Sequence, residues 1–135
     1  MQGKVLIICK ALYGLKLSGA AWRQHLSSSI NSLGFKSFRG NPDLYLRAAC
    51  KSDSAEYYEY LLAYVDGILC ISHATAPIMK DLETLNCLKE SSVDPPTRYL
   101  GADIGTIANE FGKECWAMSS DSYIKNAILI VEGYM

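Results

Sequence analysis

Residues 57–72 read Tyr57-Tyr58-Glu59-Tyr60-Leu61-Leu62-Ala63-Tyr64-Val65-Asp66-Gly67-Ile68-Leu69-Cys70-Ile71-Ser72. Aromatic and aliphatic side chains dominate both halves, and such residues suit a pleated, half-buried surface. Tyr57–Val65 is therefore expected as a strand and Ile68–Ser72 as its return. Asp66-Gly67 between them is a dipeptide that favours a tight hairpin turn. The product is a β-hairpin with Asp66 at its tip. Successive side chains of a strand alternate in direction, so Tyr58, Tyr60, Leu62 and Tyr64 share one face.

Toward the N-terminus, Asn41-Pro42-Asp43 is turn chemistry, and a strand is expected over Leu44–Ala49. The polar turn Lys51-Ser52-Asp53-Ser54 joins it to the hairpin. Before these, Ser18 is a candidate N-cap for a helix running to about Leu33, and Gly34 is a natural stop. Trp22, Leu26, Ile30 and Leu33 recur at helical spacing and form one apolar stripe. The opening run Val5-Leu6-Ile7-Ile8-Cys9 reads as a short buried strand.

Toward the C-terminus, Pro77 suits the first turn of a second helix. Ile78, Leu82, Leu85 and Lys89 follow its spacing, with Met79 and Leu88 adjoining. Pro95-Pro96 breaks the chain. Arg98–Ile107 and Cys115–Ser119 read as strands around a turn at Asn109–Gly112. A last helix is expected from about Ser120, with Tyr123, Ile124, Ala127, Ile128 and Val131 as its apolar face. Helices and strands alternate irregularly around at least one hairpin. The expected class is α+β: an antiparallel sheet with a central hairpin and helices packed on one face.

The length of 135 residues fits one domain, taken as 1–135. Half the residues are apolar and a fifth are charged, enough for a real core. The formal net charge of −1 lacks the basic excess that gives free-standing nucleic-acid binders much of their affinity. Cys9, Cys50, Cys70, Cys87 and Cys115 are odd in number, and none is spaced with another Cys or with His25 or His73 as a zinc ligand would be. They read as buried, reduced thiols of an intracellular protein. No apolar run approaches the roughly 20 residues of a membrane span, so a soluble cytoplasmic or nuclear location is expected.

Short motifs sharpen this reading. Lys10-Ala11-Leu12-Tyr13-Gly14-Leu15-Lys16, followed by Ser18-Gly19 and Trp22, resembles the signature segment of copia-type retrotransposon reverse transcriptases. Gly34-Phe35, Asp43, the hairpin Tyr64-Val65-Asp66-Gly67-Ile68-Leu69, Tyr99-Leu100-Gly101 and Met118–Ile124 follow in the family's order. One four-residue string is cheap; the ordered set spans about Val5 to Ile128. The resemblance implies a partial polymerase palm domain, truncated at both ends and belonging to a longer polyprotein.

In that family two Mg²⁺ ions, held by carboxylates, support nucleotidyl transfer from dNTPs to a primer 3′ end on an RNA or DNA template. The resemblance makes Asp66 the vestigial catalytic and metal-binding carboxylate, and it makes Lys16, Ser18 and Gly19 nucleotide or nucleic-acid contacts. Read without the flanking motifs, Asp66 is a turn residue selected for hairpin geometry. Three departures stand out. Gly67 replaces the second hairpin carboxylate, the strand bearing the first Asp would precede Val5, and Leu17 and Ala20 replace the family's Gln and Arg. One carboxylate cannot clamp two ions about 4 Å apart, so this chain is expected to be inactive alone and to hold Mg²⁺ weakly.

Other candidates have plainer readings. Lys10, Lys16 and Arg23 are ordinary solvated residues unless a phosphate backbone meets them. Tyr57, Tyr58, Tyr60 and Tyr64 are suited to base stacking or, more simply, to strand packing. Trp22 is expected in the core and His25 partly buried beside it. Ser27-Ser28-Ser29 lacks a nucleophile elbow. The rival functions are a non-catalytic nucleic-acid-binding remnant and the product of a decayed element without selected function.

Overall fold

The computed structural model describes residues 14, 16–88 and 93–134. The expected strand Val5–Cys9, most of the Lys10–Lys16 motif and Lys89 lie outside the described residues. The chain divides into two compact units, Met1–Lys89 and Glu90–Met135. Among the described residues it is an α+β protein with two antiparallel sheets and three helices.

In the first unit, helix α1 (Ser18–Ser32) precedes strands β1 (Lys36–Phe38), β2 (Asn41–Cys50), β3 (Glu56–Tyr64) and β4 (Gly67–Ile71), and helix α2 (Thr75–Leu85) follows. The strands form an antiparallel meander in the order β1-β2-β3-β4. Alternation sends Tyr45, Leu61 and Ala63 to one face, where Leu26 and Ile30 of α1, Phe35, and Ile78 and Leu82 of α2 close the core. Trp22, Leu33, Ile68, Cys70 and Met79 pack on its rim. The expected stripe of α1 is thus the buried one.

Several local expectations shift. Ser18 is the first residue of α1; Leu17 takes the cap position and makes no side-chain capping bond. Helix ends are soft by a residue or so. Gly34, at φ +86°, accepts the left-handed conformation that ends α1, and its N–H returns to the Asn31 carbonyl at 3.0 Å. The turn expected at Asn41-Pro42-Asp43 falls instead at positions 39–40, between β1 and β2, and β1 had no counterpart in the sequence reading. Asn41–Asp43 opens β2 as an irregularity: the register jumps from Ser37↔Tyr45 to Phe38↔Asn41. Pro42 sits in this gap, where no ladder N–H is required, and the Asp43 N–H bonds the Asn41 Oδ1 at 3.1 Å.

A carboxylate lies within this apolar framework. Glu59 is 4 % exposed and faces the core side of β3. Arg47 Nε donates to its Oε2 at 2.7 Å, Ser72 Oγ to Oε1 at 2.7 Å and Tyr57 Oη to Oε1 at 3.2 Å. Arg47 also donates to the Leu33 carbonyl at 2.6 Å and lies 4.4 Å over the Phe35 ring. Nearby, Ser29 Oγ donates to the buried Asn86 Oδ1 at 3.2 Å, tying α1 to the end of α2.

The second unit contains β5 (Arg98–Tyr99), β6 (Ala102–Ala108), β7 (Glu114–Ser119) and helix α3 (Asp121–Glu132). The single strand expected over Arg98–Ile107 is broken by a two-residue turn, Leu100-Gly101, with φ of +49° and +84°. Two successive positive φ values make a hairpin turn of the primed kind, which a Leu at its first position conceals. Asn109 Oδ1 accepts from the N–H groups of Phe111 and Lys113 and builds the next turn. No described residue of this unit is buried, and the expected apolar face of α3 is exposed throughout. Strands of two, seven and six residues offer too little surface to cover a helix.

The thiols also depart from expectation. Cys50 and Cys87 are exposed, while Cys70 and Cys115 are half-buried. Burial, reinforced by the Glu59 charge, pushes the Cys70 thiol up to about 11. Iodoacetamide near pH 8 should modify Cys50 and Cys87 well before Cys70, as mass mapping over time would show.

Burial alone would raise the Glu59 pKa. The hydrogen bonds from Ser72 and Arg47, the Arg47 charge and the Tyr57 hydroxyl outweigh it, so the carboxyl titrates below its ordinary value of 4.5. A lowered native pKa adds stability above the unfolded value, and that stability is lost as pH falls through the native one. Urea titrations from pH 7 down through 4.5 should show this loss, and Glu59→Gln should flatten it. Arg47→Ala should cost on the order of 3 kcal/mol at pH 7, since it leaves a buried carboxylate short of its cation.

Candidate functional site

The hairpin of β3 and β4 forms, but its tip is displaced by one residue. Tyr64 pairs with Gly67, so the loop is Val65-Asp66 and Gly67 opens β4. Asp66 is exposed at the apex, as its sequence position predicts. The positive φ that Asp-Gly chemistry assigns to Gly67 is found instead at Val65, at +54°. A β-branched residue in that region is a genuine outlier, with a cost of about 1–3 kcal/mol.

Helix α1 explains how this tip is held. Trp22 Nε1 donates to the Val65 carbonyl at 2.9 Å. The next residue, Arg23, pairs with Asp43 at the start of β2 at 2.5 Å. Consecutive side chains of the helix thus grip the hairpin tip and the neighbouring strand. Ser18 lies one helical turn before Trp22 and so on the same side of α1, which brings the first turn of the helix toward the tip. Gly19 is exposed in that turn, and Lys16 is exposed just before it. Leu17, 76 % exposed, stands where the resembled family carries Gln.

Other residues separate from the tip. His25 is exposed, its ring 6.1 Å from that of Trp22, and not partly buried as expected. Ser29 is buried in structural hydrogen bonding. Tyr57 faces the core side with Glu59, and its ring meets His73 edge-on at 5.0 Å. Tyr58, Tyr60, Leu62 and Tyr64 do share a face, the one opposite the helices, where Tyr58 and Tyr64 are more than half exposed. At the edge of that face Lys36, Phe38, Arg39 and Tyr58 line a shallow groove.

The carboxylates do not assemble a cation centre. Among the described residues no group of three or more His, Cys, Asp or Glu side chains is placed to hold a metal ion. Asp43 is engaged by Arg23, and Gly67 carries no side-chain carboxylate. The described residues therefore do not fit a two-ion site. No helix among them is long and apolar enough to cross a membrane. Comparisons with protein-family models, curated proteins and solved structures find no match.

The sequence reading missed the Trp22–Val65 and Arg23–Asp43 contacts, which join positions 43 and 20 residues apart. The helical spacing marked Trp22 only as apolar. Its N–H was the available signal, because a half-buried indole usually finds an acceptor.

Val65→Gly should remove the strain at the tip. Val65 is 70 % exposed, so little packing is lost. Relief of about 1–2 kcal/mol against a glycine entropy cost of about 0.5–1 kcal/mol should leave a net gain near 0.5 kcal/mol, seen as a higher urea midpoint.

Proposed function

We propose that this chain is a palm segment of a copia-type reverse transcriptase whose hairpin has lost its full carboxylate set, so that it does not polymerise DNA by itself. The observation that carries the reading is an acidic β-hairpin apex gripped by the Trp22 of the Ser18-Gly19…Trp22 motif. Two pieces of sequence that resemble one family's motifs thus meet in space, in the chain order that family shows. The chemistry is RNA-directed DNA synthesis in the family. In this chain Asp66 is a remnant, and Lys16, Ser18 and Gly19 remain candidate contacts for template-primer or dNTP. The family's Mg²⁺ has no fitting donor set among the described residues, and no reaction step is assigned to it.

Gly67 bears on this reading in a second way. It begins a strand opposite Tyr64 and is not among the glycines with positive φ. The conformation at this position is one that residues other than glycine also adopt.

A chimera tests the proposal. Residues 16–88 replace the corresponding segment of an active copia-type polymerase, with either Gly or Asp at position 67. The Gly67→Asp chimera should extend a primer, and the Gly67 chimera should be slower by at least about 10²-fold, the usual loss when part of an electrostatic clamp is removed. A folded Gly67→Asp chimera without activity would overturn the assignment. Primer extension by the unmodified chain, abolished by Asp66→Ala, would overturn the claim of inactivity.

The open tyrosine face favours a second reading, a non-catalytic module that binds single-stranded nucleic acid. Exposed rings stack bases at about 1–3 kcal/mol each, and Lys36 and Arg39 stand at the edge of the same face. Gel-shift titration at two salt concentrations tests it: a complex weakened by Tyr58→Ala supports it, and no complex at low salt removes it.

A further inference from the structure

The geometry points to Trp22 as the positioning residue of the hairpin tip. Its indole N–H holds the Val65 carbonyl, and this bond keeps the turn in the strained form that sets Asp66 at the apex. The inference needs only the geometry and does not depend on the polymerase reading.

Three observations combine. Val65 sits at φ +54° in a two-residue loop, where a β-branched side chain opposes the conformation. Strain of this kind persists only where surrounding structure over-determines it. A long-range hydrogen bond reaches the loop backbone, the 2.9 Å contact from the Trp22 indole to the Val65 carbonyl. That donor is itself fixed, because the indole packs on the core rim against the cluster containing Leu26 and Ile30. The next residue, Arg23, adds a second tie through Asp43. The carbonyl of Val65 belongs to the peptide leading into Asp66, so holding it fixes the orientation of the plane from which the Asp66 side chain departs.

The alternative is a purely packing role, in which Trp22 fills space and the bond is incidental. The two differ in what the N–H alone does. Trp22→Phe keeps an aromatic ring and deletes the donor. If Trp22 positions the tip, amides of the Tyr64–Gly67 pair should exchange about five- to tenfold faster in Trp22→Phe. Amides in the middle of the β2–β3 ladder should shift much less. In a Val65→Gly background the same substitution should accelerate tip exchange by no more than about twofold, because glycine adopts the turn without help.

Native-state hydrogen exchange by NMR on the four proteins (wild type, both single variants and the double) measures this. Equal acceleration at tip and ladder would show general loosening and overturn the inference. So would unchanged tip exchange, or an undiminished effect in the Val65→Gly background. Should Trp22→Phe fail to fold, the wild type carries an internal control in its second tryptophan. Trp116 is 68 % exposed on β7. The Trp22 indole proton should exchange at least about tenfold more slowly than that of Trp116 and shift in Val65→Gly. Matching exchange rates would overturn the inference without any variant that must survive the loss of Trp22.

Discussion

A carboxylate buried in an apolar layer must be answered by donors, and in this fold the donors for Glu59 come from separate elements. Arg47 belongs to β2, Tyr57 to β3 and Ser72 to the residue after β4. Removing water from one anion costs several kcal/mol unless such partners are in place. Their geometry therefore acts as a constraint on which strands can sit beside β3 and at what height. Arg47 extends the constraint beyond the sheet, since its Nη1 donates to the carbonyl of Leu33, the residue that follows α1, and its guanidinium lies over Phe35. One charged group thus links three strands and the exit of a helix.

That constraint explains why the hairpin tip is not where local chemistry puts it. With Asp66-Gly67 as the loop, Val65 would face Ile68 and Leu61 would face Ser72. With Val65-Asp66 as the loop, Ala63 faces Ile68 and the ladder continues to set Ser72 beside Glu59. The two arrangements differ by a two-residue slip, which leaves Ile68 and Cys70 on the core face in both. Apolar patterning cannot choose between them. The choice rests on a hydrogen bond to a buried carboxylate and on a helix that reaches the Val65 carbonyl, and both are long-range. Strain at Val65 is the local cost of the arrangement that satisfies Glu59.

What could be read from the sequence follows the same division. The stripe of α1, the hairpin, the Asn109–Gly112 turn and the position of Asp66 near an apex are signals carried by neighbours within a few residues, and they appear in the structure. The errors lie where a partner is distant or a signal is weak. A three-residue edge strand, β1, has too few side chains to show a period. Leu100 at positive φ gives no sign of a turn. The apolar face of α3 is exposed: periodicity reports amphipathicity and cannot report whether a surface exists to cover it. Glu59 was passed over because an acidic residue in a strand reads as solvent-facing until Arg47 and Ser72 are known to meet it.

A glycine at a turn is ordinarily explained by the backbone: the position needs a conformation that other residues resist. Here the resisting conformation falls on Val65 and the glycine is in the strand. Conformation therefore does not account for Gly67. On the polymerase reading the substitution is a chemical loss, a missing oxygen donor beside Asp66, and the scaffold that would present such a donor is still built. Helix, core rim, ion pair and strained turn converge on an apex whose residues, Val65 and Asp66, are exposed. A hairpin serving only as a connection would be served better by glycine at position 65. The retained strain is consistent with a tip shaped for presenting a group to solvent, and Asp66 is the group at that place.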